Sequence, residues 1–74
     1  MQDLIEKSFL TPKESEVVRL VAKGMSRKEI AYELGMAYST LDTHFKHIFL
    51  KLNTRSMTET AIWALRNQES SGQN

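Results

Sequence analysis

Seventy-four residues, 41% of them hydrophobic and 26% charged, fit one small globular domain with a single core and argue against a disordered chain. With no cysteine, a disulfide framework and a thiolate zinc site are excluded, so stability must come from helix packing, within the chain or against a partner. The net charge of +1 says little about a polyanionic partner, but its distribution says more: residues 23 to 55 carry six basic against three acidic side chains, and the remainder four against six.

Residues 1–9 read as a lead-in, with Asp3 and Glu6 early and no apolar core of signal-peptide length. The longest apolar run, Ala61-Ile62-Trp63-Ala64-Leu65, is far short of the roughly 20 residues that span a bilayer. A reducing, cytoplasmic setting is the expectation.

Three helix starts carry the capping-box spacing: Thr11 with Glu14, Ser26 with Glu29, and Ser56 with Glu59. In each, the hydroxyl can accept the backbone N–H three residues on while the carboxylate reaches back, satisfying donors that a helix start leaves free. The first helix is expected from about Pro12 to Ala22, with Val17, Leu20 and Val21 inward and a stop near Gly24. The second is expected from about Arg27 to Leu34, with Ile30, Ala31 and Leu34 inward and Gly35 free to take the left-handed conformation that ends it. A third runs from about Tyr38 to Leu52, stopped by Asn53. A fourth runs from about Met57 to Asn67, before a tail, residues 68–74, expected to be disordered. A short capped helix, a tight turn at Leu34-Gly35-Met36 and a longer helix make a helix-turn-helix, whose second helix fits the DNA major groove.

A step of about 100° per residue places Leu41, Phe45, Ile48 and Leu52 on one stripe of the third helix, the buried face. Opposite lie Ser39, Thr43, Lys46 and Leu50, flanked by Asp42, His47 and Thr40. Lys46 can donate to guanine O6 and N7 or to a phosphate, and Thr43 can offer its hydroxyl or set its methyl on thymine. Ser39 and Thr40 can bind phosphate oxygens at the helix start, whereas Asp42 can accept only from a cytosine N4 amino group and otherwise repels phosphates. A helix with one polar face is more often simply solvated; the turn and the capped helix before it reverse that preference here.

The segments L-T-P-K-E-x-E-V-V (Leu10 to Val18), G-M-S-R-K-E-I-A (Gly24 to Ala31), S-T-L-x-T-H (Ser39 to His44), K-L (Lys51, Leu52) and R-S-x-T-E (Arg55 to Glu59) together resemble the LuxR, FixJ and NarL type, or GerE type, helix-turn-helix domain. The resemblance covers about Leu10 to Asn67. It implies an all-α, four-helix domain that binds double-stranded DNA, needs no cofactor, and commonly dimerises through the fourth helix. Asp42, Thr43 and Lys46 match positions that face the major groove, and Arg27, Lys28, Thr40 and His47 match positions near the phosphates. Three positions depart from the pattern. Asp42 stands where lysine is usual. Ala37 stands where a capping serine or threonine is usual, which moves the expected start of the third helix toward Ser39. Phe45 replaces a small valine and requires compensating space.

His44 and His47 are three apart on a helix, but Asp42, the nearest further ligand type, sits roughly 160° around the helix from His44, so no metal site is expected. His44 reads as a packing residue at the edge of the core stripe and His47 as a phosphate neighbour. The chain is too short to enclose a pocket around its serines and has no glycine-rich phosphate loop, so an enzyme is not expected. On the fourth helix, Thr58, Ala61, Ile62 and Leu65 share one face. Thr60, Trp63 and Asn67 fall on the other, and a lone tryptophan there points to a dimer surface rather than to packing over the core edge. The expectation is therefore a DNA-binding transcription regulator acting as a homodimer, with RNA polymerase as a candidate further partner. The alternative is a protein-interaction module of the same fold that antagonises a related regulator.

Overall fold

In the computed structural model, residues 10–72 are described, with side-chain surroundings for residues 10–67. They form four helices and no strand: α1 Pro12–Ala22, α2 Arg27–Leu34, α3 Tyr38–Leu52 and α4 Met57–Gly72. The expected lead-in and the last two residues of the expected tail lie outside the described residues. Within residues 68–72 the backbone is helical, so α4 runs past the expected end at Asn67. No proline or glycine interrupts it before Gly72, and Gln68 and Glu69 are good helix formers.

The helix starts follow the spacing read from the chain, with one variation. Thr11 and Ser26 each complete a reciprocal box with Glu14 and Glu29. At α4, Ser56 Oγ accepts from the Glu59 N–H at 3.1 Å, but the Glu59 carboxylate reaches one residue further back, to the Arg55 N–H at 2.8 Å. Substituting such a cap by alanine costs about 1 kcal/mol. α3 has no side-chain cap, yet it begins at Tyr38 rather than shifting to Ser39. Ala37 takes the extended backbone of a cap, and its carbonyl accepts the Leu41 N–H at 3.0 Å. Burial of Leu41 and Phe45 just downstream sets the start that a hydroxyl would otherwise mark.

The first three helices stop in one way. The N–H of the residue directly after the left-handed position bonds back to a carbonyl of the last turn: Met25 to Leu20, Met36 to Ala31 and Thr54 to Phe49. Each closure needs a residue at positive φ, supplied by Gly24, Gly35 (φ 63°) and Asn53 (φ 58°). At Gly35 this turn sets the angle between the two helices of the helix-turn-helix, and a Cβ there would meet no atom, so what limits substitution is the backbone conformation itself.

Val17, Ile30, Leu41, Phe45, Ile48 and Thr60 are fully buried, with Leu10, Val18, Leu20, Val21, Ala31 and Ala64 close behind. α1 and α4 pack most extensively on each other, and α3 lies against α1 and α2. The expected stripe of α3 is the one buried, except that Leu52 is half-exposed. Phe45, at 1% exposure, fits the core in full, and its ring lies 5.6 Å from that of Phe49, tilted by 37°.

Candidate nucleic-acid interface

Burial of Leu41, Phe45 and Ile48 turns Ser39, Thr40, Asp42, Thr43, Lys46, His47 and Leu50 outward, as the helical arithmetic expects. The start of α2 places Arg27 and Lys28 beside this surface, both exposed. Lys46 and Lys28 are both exposed and meet no side-chain partner among the described residues. Thr43 Oγ1 donates to the Ser39 carbonyl at 3.1 Å, one turn back. Its proton is thereby committed, leaving the hydroxyl's lone pairs and the methyl for an outside contact.

The acid at position 42 is not alone. Arg27 Nη1 donates to Asp42 Oδ1 at 3.1 Å, across the turn from α2 to α3, with both side chains about half exposed. The same guanidinium lies over the Phe45 ring, 5.3 Å from its centroid. Two positions at which the chain departs from its resemblance, Asp42 and Phe45, are thus joined through Arg27. The resemblance implies Arg27 near a phosphate and Asp42 at a base, with no link between them; residues fifteen apart in different helices have no periodicity that would pair them.

A second ionic centre lies behind the outer face. Glu14 is 3% exposed. Its Oε1 accepts from the Thr11 N–H at 3.0 Å and from Lys51 Nζ at 2.7 Å, and its Oε2 lies 3.9 Å from His47 Nδ1. Burial acts to raise the Glu14 pKa, but the Lys51 hydrogen bond, the Thr11 amide, and the charges of Lys51 and His47 outweigh it and hold the carboxyl below the usual glutamate value. Beyond its place in the capping box, Glu14 ties α1 to α3. The one signal in the sequence is position: Glu14 stands three residues before the inward Val17, on the same side of α1. His47 remains 58% exposed, so its ring serves Glu14 on one side while facing outward on the other.

α4 presents its faces the other way round from expectation. Thr60 is fully buried, its hydroxyl donating to the Ser56 carbonyl at 2.9 Å. With that proton committed, Thr54 is the donor in the 2.9 Å contact between the two hydroxyls. Trp63 is half-buried against the core, and the half-buried Asn67 donates from Nδ2 to the Trp63 carbonyl at 2.7 Å. Thr60 is therefore no part of an outward surface, while Trp63 and Asn67 are each only partly exposed. Thr58, Ile62 and Leu65 face out instead, Ile62 at 46% and Leu65 at 48% exposure. The cause lies in the contiguous apolar run from Ala61 to Leu65, which covers the whole helix circumference and leaves periodicity no phase to choose. Packing chose the small residues, Thr60 and Ala64, for the close approach. His44, half-buried, sits where the core-edge reading puts it.

Among the described residues no three His, Asp or Glu side chains gather as a metal-binding group, and no helix is long and apolar enough to cross a membrane. Residues 8–64 match the family described as bacterial regulatory proteins, luxR family. The chain is similar to the nitrate/nitrite response regulator protein NarL of Escherichia coli K12, 39% identical over 54 residues that make up 73% of this chain and 25% of NarL. It is also similar to the transcriptional regulatory protein LiaR of Bacillus subtilis, 40% identical over 66 residues, 89% of this chain and 31% of LiaR. Against the oxygen regulatory protein NreC of Staphylococcus carnosus the identity is 39% over 60 residues, 81% of this chain and 28% of NreC. The chain thus spans about a quarter to a third of the length of these relatives. A helix-turn-helix with an exposed, partly cationic second helix, matched over most of its length by a regulator family, makes this chain a member of the luxR family of DNA-binding bacterial regulatory proteins.

Proposed function

We propose that the domain binds double-stranded DNA sequence-specifically, with α3 in the major groove, and thereby regulates transcription. Thr43, Lys46 and Asp42 face base edges, while Arg27, Lys28, Ser39, Thr40 and His47 lie near phosphates. The observation that carries this reading is the exposed row Ser39, Thr43 and Lys46 on a helix whose opposite side is locked into the core by Leu41, Phe45 and Ile48. A rigid helix with short or cationic side chains outward can enter a groove without reordering. Two copies are proposed to pair through the outward face of α4, where Ile62 and Leu65 are the large exposed apolar side chains. RNA polymerase is the natural further partner of such a regulator.

Titration with random duplex at low salt, followed by rising salt, tests the reading. Measurable affinity is expected, with the logarithm of the binding constant falling linearly against the logarithm of salt concentration as phosphates are neutralised. No binding at low salt would reject it in favour of the protein-interaction module, which the mild net charge and the acid at position 42 favour.

A further inference from the structure

The Arg27–Asp42 ion pair asks for an explanation that folding does not provide. Both partners are about half exposed, and such pairs add little to stability because water screens them and two side chains lose freedom in forming them. An unpaired acid on a face that approaches phosphates would, in turn, oppose binding. Yet Asp42 is held at the end of a chain of two contacts: its Oδ1 accepts from Arg27, and that guanidinium is itself seated over the Phe45 ring.

The geometry points to Arg27, Asp42 and Phe45 acting as one specificity-determining unit, in which Arg27 neutralises and positions Asp42 so that its second carboxylate oxygen selects a cytosine in the major groove. This inference rests on the DNA-binding reading and names what one position of the face would read. The bond from Arg27 occupies Oδ1; Oδ2 makes no hydrogen bond among the described residues. A carboxylate oxygen only accepts, and of the two amino donors in the major groove adenine N6 stands beside the repelling N7 acceptor of its own base, whereas cytosine N4 has no acceptor beside it on its base, so cytosine is the better match. Thymine offers an O4 acceptor at that place, so it would meet the carboxylate as like against like.

Arg27 is suited to the positioning role. Its planar guanidinium has five N–H donors, of which Asp42 takes one, and a flat face that stacks on an aromatic ring. Arg27 is the first residue of α2, the helix that crosses the sugar-phosphate backbone when the second helix enters the groove. The remaining donors can therefore meet a phosphate while the pair stays intact, giving a chain from phosphate through Arg27 and Asp42 to the base. Phe45 supplies the platform, and a small side chain at that position would leave the guanidinium unseated.

The test is a selection of bound duplexes from a random pool at one fixed salt concentration, run with the wild-type chain, Asp42→Ala and Arg27→Ala. Thermal unfolding is followed by circular dichroism in parallel. The wild-type pool is expected to hold a cytosine at one position of each half-site, and both variants to relax that position while keeping the others. In direct titration, replacing that cytosine by thymine is expected to weaken the wild type about fivefold or more and Asp42→Ala less than about twofold. The double variant should lose no more discrimination than either single one, because the residues act as a unit. Unfolding midpoints within about 4 °C of wild type, no more than loss of an exposed pair can cause, would separate loss of reading from loss of fold. An Asp42→Ala pool that retains every wild-type position would overturn the proposal, as would an Arg27→Ala chain that binds all duplexes uniformly less well with preferences intact, since that describes a plain phosphate contact. A wild-type chain that binds no duplex even at low salt would instead reject the DNA-binding reading beneath it.

Discussion

Two ion pairs of the same chemical kind tie α3 to its neighbours, and they differ in almost everything else. Glu14–Lys51 joins α3 to α1 with its carboxylate 3% exposed and an N···O distance of 2.7 Å. Arg27–Asp42 joins α3 to α2 at 3.1 Å with both groups about half in water. The first sits where a lone charge would be costly, so its partners are needed for the fold. The second sits where a lone charge would be tolerated, so its partners remain available to something outside. Environment, not the identity of the charges, separates a structural pair from one suited to recognition.

The largest effect is expected from breaking the buried side. Lys51→Met keeps much of the apolar stem but leaves Glu14 buried with only its amide partner and a distant imidazole. Stability should fall by about 2 kcal/mol or more, read as a shift in urea midpoint. A loss no larger than that of an exposed pair would mean that water reaches the Glu14 carboxylate.

Next in size is Lys46→Ala on the exposed side. If its ammonium contacts a base edge or phosphate, affinity for the preferred site should drop by about 1 to 3 kcal/mol at fixed salt with folding unchanged. Undiminished affinity would remove Lys46 from the reading face.

Acid sharpens the contrast further. Glu14 has a folded-state pKa below its usual value, so the unfolded chain takes up this proton at higher pH than the folded one. Its contribution is complete above about pH 4.5, the usual glutamate value, and is lost as pH falls through the lower folded-state value. The gap between wild type and Lys51→Met should accordingly be widest near neutrality and narrow under acid, followed as urea midpoints across the pH range. A gap that does not change with pH would mean that Lys51 acts through packing alone.

The smallest effect is expected at the exposed pair. Asp42→Ala should alter folding stability by less than about 1 kcal/mol in the same urea experiment, since an exposed pair contributes no more. A larger loss would move Arg27–Asp42 to the structural side of the comparison.

Local rules reached most of the architecture. Thr11, Ser26 and Ser56 mark helix starts, and Gly35 and Asn53 mark stops, because caps and left-handed closures depend on residues within a few positions of each other. The buried stripe of α3 was legible for a related reason: Leu41, Phe45 and Ile48 are apolar and their opposites are not. The phase of α4 was not legible, since Ala61 to Leu65 are apolar on every side and only the close approach to α1 turns Thr60 and Ala64 inward. Neither ion pair could be read either. Glu14 and Lys51 stand 37 residues apart, and Arg27 and Asp42 fifteen, so their meeting is a property of the assembled core. The candidate reading face was therefore visible as a set of side chains but not as a set of partners, and Asp42 looked like an isolated acid until Arg27 was placed beside it.

The claim that α3 is the DNA-reading surface is tested most directly by following backbone amide NMR signals as duplex DNA is added. On a duplex carrying a single half-site, which one copy occupies alone, the shifts are expected to concentrate on Ser39 to His47 and on the first turn of α2 at Arg27 and Lys28, with Ile62 and Leu65 unmoved. Shifts centred on the outward face of α4, or none along α3, would contradict it.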